Sequence, residues 1–356
     1  MKRVPTILLS FGWSEAIVRL PLTDDGHYFM TELLVENQPL GMVVDTGSIS
    51  FHVMSNHLVS HDGLKERAMD ALQKKSLKVK KYENVRVYMV SVQGSLSLPS
   101  THNILEMDFN VGIGAREVTP SGEVRVYHVH SLLGLGFPRH PSGSFLQQLI
   151  AHGVIQQEYF TVTVDRYGNG EVLLGELKPQ DAQEAGELVY LPIYVDSRHR
   201  KRWEVYVTNI RCYFSPERFF NVKVEAPALI DTGAPGIHGP KNQINLLIRA
   251  ASFAASEVRG KNITTNNSRT VFYISLDEVK YLPKLHVFFS LGGGKTMSLA
   301  IDPHQYINHV TSPSVKSRHV FMGASQGWSL GMPLFRGRSV RFDAIKGAIG
   351  LALTGA

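Results

Sequence analysis

Met42-Val43-Val44-Asp45-Thr46-Gly47-Ser48 and Ala228-Leu229-Ile230-Asp231-Thr232-Gly233-Ala234 decide the fold of this chain. Each is a run of apolar strand residues that ends in Asp-Thr-Gly. A strand running into a glycine turn presents a side chain at a sheet's edge, and here that side chain is a carboxylate both times. The two aspartates stand 186 residues apart, about one domain's length. They therefore read as equivalent points of two related lobes that share one centre.

The rest of the chain supports the duplication. Leu132-Leu133-Gly134-Leu135-Gly136 follows the first Asp-Thr-Gly, and Trp328-Ser329-Leu330-Gly331-Met332 follows the second. The order is the same in both halves, which marks a diverged internal repeat. Short apolar runs broken by 31 Gly and 17 Pro favour a strand-rich protein. Strands are expected at 17–20, 28–36, 42–45 and 49–54, with the second turn set by Asn37-Gln38-Pro39. Leu64, Ala68 and Leu72 stand at helical spacing within 63–75, which predicts a short amphipathic helix or a mobile insertion. The β-branched segment 85–98 is expected to fold as a hairpin turning at Gln93-Gly94-Ser95, a candidate flap over a cleft. Residues 186–194 form the expected boundary: an N-terminal lobe over 17–190, a C-terminal lobe over 191–356, and a signal or extension over 1–16.

Composition narrows the function. A content of 43% hydrophobic and 19% charged residues describes two folded domains, not a disordered chain. Lone Cys212 excludes an intrachain disulfide. The net charge of +6 is scattered, and the densest basic cluster, Arg198 to Arg202, reads as a solvated loop beside Trp203, so no nucleic-acid partner is expected. No stretch approaches the roughly 20 apolar residues of a membrane span. Gly294-Lys295-Thr296 lacks the earlier glycine of a phosphate loop, since position 289 is Phe, and reads as a hairpin turn.

Two adjacent aspartates cannot both ionise easily, so they share a proton. Such a pair can activate a water: one carboxylate acts as general base, and the protonated acid hydrogen-bonds a scissile carbonyl. The chemistry needs no covalent intermediate, cofactor or metal. Thr46 and Thr232 can reach the backbone of the opposite strand, and Gly47 and Gly233 keep the approach free of Cβ atoms.

The chain resembles the pepsin-like aspartic endopeptidases from about Ile17 to Ala356. The matching residues are 44–48, 133–138, 230–233, Gly239-Pro240, Leu282-Pro283 with Tyr306-Ile307, and Leu330-Gly331 with Phe342-Asp343. The resemblance implies a mainly β, bilobal fold with pseudo-two-fold related lobes and a central cleft. It implies Asp45 and Asp231 as the catalytic pair, with Thr46, Gly47, Ser48, Thr232, Gly233 and Ala234 supporting it. It also implies an extended peptide or protein substrate with apolar preference around the scissile bond, and inhibition by pepstatin-like compounds. The expected setting is a monomer, secreted or in an acidic vacuolar or lysosomal compartment.

Departures from the family pattern carry information. His52 stands where the family has Trp, and matching Gly94-Ser95 to the family's flap puts Ser91 at its Tyr position, with Val92 beside it. The departures imply an altered lid and weaker or altered activity, with a catalytically silent binding or inhibitor protein as the rival. Ala234 stands where most members have Ser or Thr, which raises the pKa of Asp231 and predicts a pH optimum milder than pepsin's.

Overall fold

The computed structural model describes residues 18–57, 62–74, 76–82, 85–99, 104–118, 124–126, 129–137, 144–175, 188–263, 266–268, 271–307, 317–320 and 322–352. The expected leader at 1–16 lies outside them. The protein is mostly β. Its halves meet in one antiparallel sheet whose strands run in the order Val18–Asp24, Gly170–Leu174, Tyr159–Val164, Arg338–Asp343, Ala348–Ala352 and Leu188–Val195. Its central pair takes one strand from each half, with Tyr159 opposite Asp343 and Val164 opposite Arg338. The first strand alternates buried Val18, Leu20 and Leu22 with outward Arg19 and Pro21, the period-two pattern of a sheet with one wet face.

Above this sheet the two halves repeat one device. Strand Gln38–Asp45 runs parallel to Ser131–Gly134, with Asp45 opposite Gly134. Strand Phe219–Ile230 runs parallel to Trp328–Leu330, with Ile230 opposite Leu330. Parallel strands need continuous apolar runs, which buried Met42-Val43-Val44 and Ala228-Leu229-Ile230, with Leu229 partly buried, supply.

An aromatic hub lies beneath this level. Trp203 is buried and donates its indole N–H to Leu135 O at 2.9 Å. Its ring meets Phe137, Phe160 and Phe342 at centroid distances of 4.7, 6.0 and 5.1 Å, and Phe160 stacks on Phe342 at 4.7 Å. Edge-to-face rings at such distances add to the area they bury. The halves are tied again by Arg336, which donates to Asp24 at 2.6 Å with both side chains buried.

The expected helix is present, a strand lies at the expected lobe boundary, and two other sequence expectations change. The helix at 63–75 is Asp62–Gln73, with Leu64 and Ala68 buried. The second turn is the pair Glu36 and Asn37, both at positive φ, so Gln38 and Pro39 already lie in the next strand. The expected lobe boundary at 186–194 is largely the strand Leu188–Val195. The candidate flap is not a hairpin at Gly94. Val85–Ser97 is one continuous strand through Gly94, with Gln93, Gly94 and Ser95 opposite Asp108, Met107 and Glu106.

The reason for that last error is physical. A Cβ on Gly94 would lie 2.6 Å from Glu36 Oε1 and 3.1 Å from the Phe109 ring. This glycine permits close approach and not a turn. The Glu36 carboxylate accepts from the Ser95 N–H at 3.0 Å and from Arg67 at 2.6 Å, which pins the strand there. A bulge at Ile113, between the pairs Tyr88 with Gly114 and Met89 with Gly112, flips the alternation along the strand. The hairpin is instead formed by Lys78–Tyr82 with the start of Val85–Ser97, Tyr82 facing Val85 across it.

Candidate active site

Asp45 and Asp231 meet where the two parallel strand pairs end. Each loop is locked by the opposite half. Thr46 Oγ1 donates to Ile230 O at 2.8 Å, and Thr232 Oγ1 donates to Val44 O at 2.7 Å. In return the Thr46 N–H donates to Thr232 Oγ1 and the Thr232 N–H to Thr46 Oγ1, both at 3.0 Å. Both threonines are buried, so two hydroxyls, two N–H groups and two carbonyls satisfy one another through these four bonds.

The glycines make room for the acids. A Cβ on Gly47 would fall 2.5 Å from Asp231 Oδ2, and one on Gly233 would fall 2.7 Å from Asp45 Oδ1. Each loop's glycine thus clears space for the other loop's carboxylate. Each glycine N–H also donates to the acid of its own loop, Gly47 to Asp45 Oδ1 at 2.7 Å and Gly233 to Asp231 Oδ1 at 2.9 Å. Burial, then the charge and hydrogen bond of Asp45, hold the Asp231 carboxyl well above the usual carboxylate range. The Gly233 N–H and the guanidinium of Arg202 oppose this, more weakly. The pair is built to hold one proton between two acids.

The remaining expected site residues divide. Ser48 follows Asp45 by three residues, but its buried hydroxyl makes no hydrogen bond among the described residues, so it does not bond the Asp45 carboxylate. Ala234 is buried and its N–H closes the loop on Asp231 O at 3.2 Å. Ser91 lies in the long strand, accepts from Lys78 at 2.6 Å and donates to Asn110 at 3.0 Å. Val92 is buried, and Gly94 and Ser95 sit against Glu36. His52 is buried between strand partners Leu132 and Asn110, its Nδ1 sharing a 3.3 Å hydrogen bond with Ser50. Burial, then the charge of Lys80, lower its pKa to about 4.

A pocket of about 130 Å³ opens beside the dyad, lined by Thr46, Gly47, Ser48 and Ile49 after the first acid and by Leu229 before the second. Gly136, Phe137 and Trp203 contribute its apolar wall, and Lys80 and Arg202 its cations. None of Ser91, Val92, Gly94, Ser95 or His52 lines it. Arg202 and Lys80 were not singled out as site residues by sequence reasoning. Arg202 belongs to the basic cluster assigned to a solvated loop, yet only 196–200 form that turn, and Arg202 is already in strand Lys201–Tyr213. The signal that marks it is the alternation Arg202, Glu204, Tyr206 on the side opposite buried Trp203 and Val205.

Comparisons with known proteins bear on the family and the fold. The family model described as eukaryotic aspartyl protease matches residues 30–354. The chain is 24% identical to renin of Rattus norvegicus over 238 residues, 62% of this chain and 52% of that protein, so it spans about half of renin's length. The crystal structure of the aspartic proteinase from Irpex lacteus superposes with a TM-score of 0.67 at 16% identity, covering 95% of this chain and 98% of that one. That likeness is one of fold.

Proposed function

Because the chain belongs to the eukaryotic aspartyl protease family, we propose that it is an endopeptidase that hydrolyses peptide bonds with water activated between Asp45 and Asp231. The observation that carries this reading is the reciprocal clearance of the loops, in which each glycine leaves space that the opposing aspartate fills. Such a site gains nothing in stability from two buried acids, whose mutual repulsion and desolvation are costs. Their burial side by side points to chemistry.

An extended substrate crosses the interlobe cleft with its scissile carbonyl over the pair. The ionised carboxylate takes a proton from the attacking water while the protonated acid hydrogen-bonds the carbonyl oxygen. The carbon becomes tetrahedral, and the proton just gained by the base passes to the leaving nitrogen as the C–N bond breaks. The high pKa of Asp231 supports it as the resting proton holder and Asp45 as the base. The threonine lock fixes both acids before substrate arrives, so little reorganisation remains for the transition state. Apolar Ile49, Phe137 and Leu229 beside the pair support apolar contact around the scissile bond. Family membership supports a secreted or vacuolar/lysosomal setting and binding of pepstatin-type inhibitors, and a monomer is the expected state.

The test compares wild type with Asp45→Asn and Asp231→Asn on a broad peptide library, with and without pepstatin. Cleavage that pepstatin blocks and either variant loses supports the reading. Equal cleavage by the variants overturns it, and peptide binding without turnover in wild type would identify a binding protein on the same fold.

A further inference from the structure

The pocket beside the dyad combines an apolar floor with a cationic wall. Ile49, Phe137, Trp203 and Leu229 supply the floor, and Lys80 and Arg202 come in from two different strands. Lys201 adds a third positive group at the edge, its ammonium 5.9 Å from the Phe137 ring centroid. No carboxylate is among the lining residues. A pocket with low-dielectric walls and charges of one sign attracts the opposite charge. We propose that it takes an acidic side chain of the substrate adjacent to the scissile bond, with Arg202 and Lys80 as the specificity-determining residues.

The proposal rests on the endopeptidase reading and sharpens its substrate class: apolar contact at the floor, and a carboxylate at the tip. Glutamate suits both, since its methylenes lie on apolar surface and its charged end meets the cations. Arg202 already pairs with Glu204 at 2.9 Å, but a guanidinium has five N–H donors and that bond uses one. Its side chain is 41% exposed, which leaves it open to a ligand. Ser48, whose hydroxyl makes no hydrogen bond among the described residues, is on the same pocket wall. Arg202 is also close enough to Asp231 to act on its ionisation. A carboxylate bound there therefore sits within reach of the reacting centre and not at a remote edge.

The experiment uses paired peptides that carry Glu or Gln at each position flanking the scissile bond, in cleavable form and with the bond reduced so that binding is read without turnover. At one position Glu is expected to exceed Gln roughly tenfold in kcat/KM and in affinity, the scale of one charge-assisted hydrogen bond. Added salt shrinks that ratio. Arg202→Gln and Lys80→Met should each lower it, Arg202→Gln to near one. Glu204→Gln, which removes the competing carboxylate, should raise it. A ratio near one at every position in wild type, or one undiminished in Arg202→Gln, overturns the proposal. Preference in the binding arm without cleavage would instead overturn the endopeptidase reading alone.

Discussion

Replacing His52 by Gln should make the protein less sensitive to acid. His52 is buried without solvent exposure, and its pKa is lowered from 6.5 to about 4 by burial first and the Lys80 charge second. In the folded protein the ring stays neutral until the pH nears 4, whereas in the unfolded chain it takes up a proton below about 6.5. The unfolded state therefore binds more protons between these values, and stability falls as the pH drops through that window. At ~1.4 kcal/mol per pH unit the full gap is worth about 3 kcal/mol, absent above the upper value and complete below the lower one. Urea denaturation of wild type and His52→Gln at neutral pH and near pH 4 reads the effect as a difference of differences. Other groups, Asp231 among them, titrate in both proteins and cancel. The variant is expected to lose about 3 kcal/mol less than wild type on acidification, whatever its stability at neutral pH. Identical pH dependences would refute the reasoning.

Three further outcomes follow from the same geometry. Gly47→Ala places a methyl 2.5 Å from Asp231 Oδ2, so kcat should fall at least ~100-fold, as misplacement of a reacting group by about 1 Å does. A calorimetric scan should still show a folded protein, and retained activity would mean that the two loops can move apart. Trp203→Ala removes the centre of the aromatic hub and should cost about 3–5 kcal/mol in denaturant unfolding; a loss under about 1 kcal/mol would show that the rings do not couple. Ala234→Ser offers a hydroxyl to ionised Asp231 and should lower its pKa, moving the alkaline limb of kcat/KM to lower pH. An unmoved or raised limb in a pH–rate profile would count against Asp231 as proton holder.

The dyad was legible because its requirements are local. An apolar strand, an acid, a hydroxyl and a glycine follow one another in four letters, and the repetition of Leu132 to Gly136 by Trp328 to Met332 locates the parallel partners. Thr46 and Thr232 could be assigned a crossing role because a hydroxyl directly after each acid can reach the opposite strand's backbone. The lid was not legible for an equally physical reason. Glycine is the same letter whether it turns a chain or admits a neighbour, and Gly94 is there for the Glu36 carboxylate and the Phe109 ring. The bulge at Ile113 lies in the partner strand, so nothing in Val85–Ser97 itself announces it. Arg202 was obscured likewise: the other cation of its pocket, Lys80, is more than a hundred residues away.

The central pair Tyr159–Val164 with Arg338–Asp343, and the rings of Phe160, Trp203 and Phe342 packed beside it, carry a thermodynamic consequence. A duplicated chain could melt in two steps, one for each copy. Here neither copy closes its own sheet or fills its own aromatic cluster, so opening one half exposes the core of the other. Heat should meet a single cooperative unit, and the repeat visible in the sequence should vanish from the calorimetric trace.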